Sequence, residues 1–213
     1  HTMGPVDLSL VLAIFHSRHP AVELTVREES SEDLAEMLRV DELDLAFLSV
    51  TERIESHGLG LQQLVNEQLV LIAAREHPLG RRRRVRMSKL EDEQFISFRE
   101  GARLRELLNA AGRSAGFEPQ VKLESNESQR IRRLVARGMG VAILPRSDAV
   151  SPGADVSVLQ LTHPSLTRDI TLAWRDGRRH SPAARELLEL ARTTYADQAT
   201  TRHPREATDV VSR

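Results

Sequence analysis

Two short stretches carry residue types at spacings that could do chemistry. "GRSAG", Gly112 to Gly116, matches the Gly-x-Ser-x-Gly pattern in which a serine stands exposed as a nucleophile. "LVARGMGVAILP", Leu134 to Pro145, centres on a Gly-x-Gly of the kind that opens phosphate-cradling loops. Both chemistries need the order strand, loop, helix, because the serine must project from a sharp turn and a phosphate must rest on a helix N-terminus. Here the order is reversed. "GRSAG" follows the helical run "RLRELLNAA" and precedes the extended "PQVKLE", while "GMG" follows "QRIRRLVAR" and precedes "VAILP". The glycines therefore read as helix stops: Gly112 or Gly116 in left-handed geometry in the first case, Gly138 in the second, where the carbonyl end of the helix repels phosphate.

The remaining reactive residue types converge on nothing. Of the eight histidines, His19, His77, His163 and His203 each precede a proline, which marks turns and helix ends, and none shows His-Glu-x-x-His spacing. The run Arg81 to Arg84 reads as a solvated loop rather than a phosphate patch. There is no cysteine, which removes disulfides, thiolate nucleophiles and Cys-based metal sites together and fits a reducing cytoplasm. With no acid–base constellation, the chain reads as a binder and not an enzyme, and we expect no metal and no cofactor.

The binding residues must then be placed by the larger elements. A chain of 213 residues with 40% apolar content and a formal net charge of -1 suits one large soluble domain or two small ones. The near-neutral balance argues against a nucleic-acid surface, although all but two of the 30 basic residues are arginine, a bias we attribute to codon composition. No apolar run approaches the roughly 20 residues of a bilayer span, and no export leader is visible. The chain starts His1-Thr2-Met3 with helical signals almost at once, so it reads as a fragment from which upstream sequence has been cut, or as one carrying a tag scar.

Periodicity predicts a helix over Pro5 to Arg18, a strand over Val22 to Glu28, a Ser-capped helix over "EDLAEMLRV" with Asp33 placed for a capping box from Ser30, and a strand over Leu43 to Val50 buried on both faces. Gly58 to Ala74 reads as two extended pieces in succession. Strands at Gln94 to Phe98, Gln120 to Glu124 and Val141 to Leu144 alternate with helices at Ala102 to Ser114 and Glu127 to Arg137. Extended segments at Val156 to Leu161 and Asp169 to Arg175 precede a last helix opened by Ser181-Pro182, and the periodicity fades after about Ala191 into a polar, disordered tail. Alternating strands and helices imply βαβ units and a mostly parallel sheet. Two such groups, separated by apolar runs that cross between them, make a clamshell. The polar turns after strands, at Glu29-Ser30-Ser31, Ser49-Val50-Thr51, Arg99-Glu100-Gly101 and Ser125-Asn126-Glu127, lie where ligands bind in open parallel sheets.

The ordered set of motifs resembles a known family. "LAIFHSRHPAVELTVREESSEDLAEMLRVDELDLAFL", "EQLVLIAAREHPL", "FISFREG", "AGF", "SNESQRIRRLVARGMGVAILPRS" and "LAWRDGRRHSPAARELLEL" follow one another as in the effector-binding domain of LysR-type bacterial transcription regulators, over about residues 3 to 192. Each motif alone is weak, and the ordered set is specific. The resemblance implies an α/β fold of two Rossmann-like subdomains joined by two crossover strands, similar to type 2 periplasmic binding proteins. Subdomain I would comprise residues 1–69 plus 166–194, subdomain II residues 70–165, and residues 195–213 a tail. The DNA-binding winged helix-turn-helix of the family, its linker helix and most of the first strand would lie upstream of this chain. One departure is Asp41, where the family usually has Gly before "ELDLA"; Asp tolerates left-handed backbone better than most residues.

Carried over by position, the resemblance implies an effector site lined by Thr2, Met3, Gly4, Ser30, Ser31, Ser49, Ser97, Phe98, Arg99, Asn126 and Glu127. The effector would be a small carboxylate or aromatic metabolite, with Arg99 the charge partner of a carboxylate and Glu127 opposing one. Ligand binding would shift the arrangement of the lobes and, in the full protein, of paired DNA-binding domains. The partners implied are a homodimer or tetramer formed by antiparallel pairing of the first helix with the helix near Ala102 to Ala111, and DNA only through the missing N-terminal domain, with no membrane and a cytoplasmic location. The competing reading is a free-standing solute-binding protein of the same fold, which would need an export leader.

Overall fold

A computed structural model describes residues 6–50, 54, 58–177 and 179–195. The chain first forms α1 (Leu8–Arg18), capped by Asp7, whose side chain accepts from Leu10 N at 3.0 Å. The helix starts later than Pro5 because this cap, and not the proline, satisfies its first turn. Next is α2 (Ser31–Arg39), whose N-cap Ser30 accepts from Asp33 N at 3.1 Å and donates to Asp33 Oδ2 at 2.7 Å. The box is thus closed through the hydroxyl rather than through the Ser30 amide. At the far end of α2, Asp41 holds φ +64, and its carboxylate accepts from Arg175 Nη1, so a side-chain contact accompanies the left-handed turn.

Between these helices Val22–Glu28 is extended without being a strand. Its alternation holds only at its start, with Val22 and Leu24 partly buried and Val26 52% exposed. No described strand lies beside it to complete a ladder, so local propensity alone does not make sheet. The strand β1 (Ala46–Leu48) follows, then β2 (Leu59–Ala73), a single 15-residue strand where two pieces were expected; the join survives only as a register shift between Gln63 and Val65. A short 3-10 turn leads to β3 (Arg84–Arg86), a second to β4 (Gln94–Ser97), and then come α3 (Arg103–Ser114), β5 (Gln120–Glu124), α4 (Ser128–Ala136), β6 (Ala142–Pro145), α5 (Arg146–Val150), β7 (Ser157–Thr162), β8 (Thr167–Arg175) and α6 (Pro182–Tyr195).

The sheet is not mostly parallel. Its order is β1-β8-β2-β7-β3, with β6 also on β2, and the pairs β1–β8, β2–β8, β2–β6 and β2–β7 are all antiparallel. Parallel pairing is confined to β3–β7, β4–β5 and a bridge from Phe95 to Val141. The expectation failed because β2 and β8, the two longest strands, run in opposite directions and supply most of the pairing. From Leu59 to Gln68, β2 pairs with β8; from Leu69 onward it pairs with β6 and β7 instead. Either side of Leu69 the chain therefore belongs to a different packing group.

Apolar burial follows the strand period. Leu69, Leu71 and Ala73 face a cluster with Met87, Phe95 and Leu159, while Val70 and Ile72 face another with Ile96, Ile131 and Leu144. On the β8 side, Leu64, Ile170 and Leu172 pack with α1 and α6 through Val11 and Leu188, and Ala46, Leu48 and Ala173 pack with Leu38 of α2. The last helix runs past the fading periodicity to Tyr195, whose hydroxyl donates to Asp7 O at 2.8 Å and ties α6 to α1.

The glycine motifs are structural. Gly116, with φ +92, ends α3, whereas Gly112 lies inside the helix, where an added Cβ would stand 2.6 Å from the Pro119 ring. Gly138 (φ +75) closes α4, its N–H donating to Val135 O at 2.9 Å. Gly140 brings the chain so close to β4 that a Cβ would lie 2.4 Å from Gln94 O. The expected tail, residues 195–213, lies outside the described residues apart from Tyr195.

Candidate functional site

A cavity of about 240 Å³ opens where the two packing groups meet. The first group brings Ser30 and Ser31 from the start of α2, Ser49 from the end of β1, and Arg168 from β8. The second brings Phe98 and the turn Gly101 to Arg103 that opens α3. Helices α2 and α3 both begin at this cavity, so two sets of unpaired N–H groups and two positive dipole ends stand on its border. The body of the cavity is apolar, lying between the extended segment with Leu24 and Val26 and the strand with Leu45 and Phe47. The polar residues of the lining, Ser30, Ser31, Ser49 and the charged side chains, are the groups able to discriminate among ligands.

These polar groups have local reasons. Ser30 is the N-cap of α2 and sits at its first turn for that purpose. Ser31 Oγ accepts from Ser49 N at 3.1 Å, which fixes the end of β1 against the start of α2. Arg168 is held by Glu67, the residue opposite it in the β2–β8 register, through Nε at 3.0 Å and Nη2 at 2.7 Å, both to Oε2. The second carboxylate oxygen, Oε1, accepts from Ser147 N at 3.0 Å and from the Ser147 hydroxyl. The side chains of Arg168 and Glu67 are only 6% and 5% exposed, so this is a buried ion pair satisfied on both sides. Exposed carboxylates of Glu28, Glu29 and Glu32 also border the cavity.

The cavity brings together Ser30, Ser31, Ser49 and Phe98 of the residues expected from the sequence. Ser97, Arg99, Asn126 and Glu127 do not border it. Ser97 is buried within β4, its carbonyl accepting from Ser125 N at 3.0 Å. Arg99 and Asn126 are exposed. Glu127 accepts from Arg130 Nη2 at 3.0 Å and Arg133 Nη2 at 3.2 Å, so two guanidinium groups offset the charge that would oppose an anion. Thr2, Met3 and Gly4 lie outside the described residues. Sequence reasoning placed the Arg99-Glu100-Gly101 turn on the ligand side but missed Ala102, Arg103 and Arg168. A partial signal for the latter existed: Glu67 is the one charge in its long strand-like run, although Arg168 shares its own run with Asp169 and Arg175.

Among the described residues no three histidine or acidic side chains converge to hold a metal ion, and no helix is long and apolar enough to cross a membrane.

Two α/β groups linked by a pair of antiparallel strands, with a cavity between helix N-termini, define a ligand-binding clamshell. The chain belongs to the LysR substrate binding domain family, whose model matches residues 1–196. It is 30% identical over 183 residues to the transcriptional dual regulator GltC of Bacillus subtilis, covering 85% of this chain and 61% of that protein. It is 26% identical to the HTH-type transcriptional regulator YybE of the same organism, covering 92% of this chain and 66% of that protein. The chain thus spans about two thirds or less of these relatives' length. In structure it is similar to the regulatory domain of Synechocystis PCC6803 CcmR in complex with 2-PG, with a TM-score of 0.79, 24% identity and coverage of 88% and 90% of the two chains. It also resembles the effector-binding domain of QuiR in complex with shikimate, with a TM-score of 0.78, 21% identity and coverage of 92% and 94%. The same holds for the effector-binding domain of BenM with benzoate, at 0.76 and 22%, covering 92% and 89%. At these identities the structural likeness is one of fold. The fold expected from the sequence, two α/β subdomains joined by crossover strands, is the fold observed.

Proposed function

We propose that this chain senses a small organic anion for a LysR-type transcription regulator, binding it in the cavity between the lobes. The observation that carries this reading is that two helix N-termini from different packing groups line one cavity, with buried Arg168 also on its lining. The volume suits a small metabolite, since drug-sized ligands occupy clefts of roughly 300–1,000 Å³. The fold neighbours bound to shikimate and benzoate support a carboxylate or aromatic ligand. Ser30, Ser31, Ser49 and Phe98 would contact the ligand, Ser97, Arg99, Asn126 and Glu127 would join them on closure of the lobes, and Thr2, Met3 and Gly4 would complete the site. The lobes would divide as residues 1–69 plus 166–194 and 70–165, a boundary that matches the change of β2 partners at Leu69.

In this reading the ligand shifts the balance of lobe arrangements, and the shift is passed to DNA-binding segments of the full-length regulator. The chain itself is a binder rather than an enzyme, works in the cytoplasm, and associates with further copies through α1 and α3; Leu10 of α1 is 48% exposed and available for such a contact. The relatives named as transcriptional regulators favour this over a free-standing solute-binding protein. A thermal-shift screen of small carboxylates tests the reading: a binder should raise the melting temperature, and Ser31→Ala should reduce that rise. A hit unaffected by Ser31→Ala would place the ligand elsewhere.

A further inference from the structure

We propose that Arg168 is the anion-reading residue of this site and that Glu67 stands in for the ligand's carboxylate while the site is empty. The proposal rests on the reading of the cavity given above and assigns its central charge contact. Three arginines border the cavity, namely Arg27, Arg103 and Arg168. Arg27 is exposed and Arg103 half-buried, so water and salt weaken what either offers an anion. Arg168 is buried, and a charge contact made there is screened far less.

The way Glu67 holds Arg168 leaves the guanidinium suited to exchange. The two bonds to Glu67, from Nε and Nη2, converge on the single oxygen Oε2, one fewer acceptor than the fork-to-fork geometry that a guanidinium and a carboxylate can form. Its other oxygen is committed to Ser147 at the start of α5, in the second packing group. A ligand carboxylate approaching from the cavity can take over donors of Arg168 while Glu67 keeps its contact with Ser147. The cation then stays paired throughout, which avoids the large penalty of an uncompensated buried charge. Because Glu67 spans from Arg168 to Ser147, the exchange also changes what holds the two groups together at the strand junction.

The test uses sodium benzoate as an anionic probe and benzamide as its neutral isostere. Glu67→Gln preserves the shape of the side chain and its acceptor for Ser147, but removes the Glu67 charge from beside Arg168. Benzoate should then bind Glu67→Gln at least tenfold more tightly than the wild type by calorimetry, benzamide should show no such gain, and the double variant Glu67→Gln with Arg168→Gln should lose it. Unchanged benzoate affinity in Glu67→Gln, an equal gain for benzamide, or a gain kept by the double variant would each overturn the proposal. Should Glu67→Gln fail to fold by circular dichroism, the wild type answers instead. Benzoate should move the Arg168 Nε–H resonance, assigned by its loss in Arg168→Lys, and a resonance that stays still at millimolar benzoate counts against the assignment. A screened metabolite weakened by Ser31→Ala but not by Arg168→Lys would leave the cavity as the ligand site and remove Arg168 from it.

Discussion

The turns that open α2 and α4 start from similar sequences, Glu29-Ser30-Ser31 and Ser125-Asn126-Glu127, and end in different surroundings. At α2, Ser30 caps the helix, Ser31 Oγ holds Ser49, and both serines border the cavity. At α4, Ser125 is buried with its Oγ accepting from Glu127 N at 3.2 Å, and Glu127 is paired with Arg130 and Arg133. A polar turn after a strand answers one local need, the open N–H groups of the following helix. It becomes a candidate site only where another element shares a cavity with it. Phe98 and the Gly101–Arg103 turn share the lining of the cavity with α2, together with buried Arg168.

The sharpest challenge to this contrast is to cut one tie on each side. Glu67→Ala breaks a buried ion pair by removing one partner and should cost about 3–5 kcal/mol in urea unfolding. Glu127→Ala removes an exposed pair and should cost about 0–1 kcal/mol. Equal costs would mean that the junction between the groups is no more tightly tied than the surface of α4. Next in size is the backbone after α4. Gly140→Ala drives a Cβ into Gln94 O from a φ of +148 and should cost about 2–3 kcal/mol, whereas Gly138→Ala, with open space at φ +75, should cost about 1 kcal/mol.

The caps themselves give a smaller difference. Ser30→Ala should lose about 1 kcal/mol, because the hydroxyl accepts from Asp33 N, while Asn126→Ala on the exposed α4 turn should stay within about 0.5 kcal/mol. A cost at Asn126 as large as at Ser30 would erase the distinction between the turns. The smallest effects are set by pH, and they oppose each other at the two ends of the scale. Burial, and secondarily the charge of Asp7, raises the pKa of Tyr195 above its ordinary 10.0. The unfolded chain then ionises first, so stability is full below pH 10.0 and falls as pH rises through the folded value; Tyr195→Phe should flatten that alkaline slope in the melting temperature. In the second group, the hydrogen bond from Arg75 lowers the pKa of Asp155 below 3.8. Its contribution is present above 3.8 and lost as pH falls through the folded value, and Asp155→Asn should change acid unfolding only slightly because both groups are exposed.

Much of the local structure was legible. The strand Gln120–Glu124 has its expected bounds, α2 carries the Ser30 cap, and Ser181 accepts from Ala184 N at 3.1 Å at the start of α6. These features depend on neighbours within a few residues, which periodicity and capping chemistry report directly. The candidate site was half legible. Ser30, Ser31, Ser49 and Phe98 were named by position from the family resemblance, and the cavity brings them together. Arg168 was not, because its meaning lies in a partner 101 positions away.

By itself, then, the sequence determined which segments extend, which coil, where helices are capped, and that Gly138 and Gly140 end a helix instead of cradling a phosphate. Only the tertiary structure decided which way the strands run beside one another, that β2 serves two packing groups, and which serines face a cavity. The division follows from range. Backbone angles and caps are fixed by neighbours along the chain, whereas strand partners, burial of opposed charges and the walls of a cavity are set by residues a hundred positions apart, whose meeting no local pattern encodes.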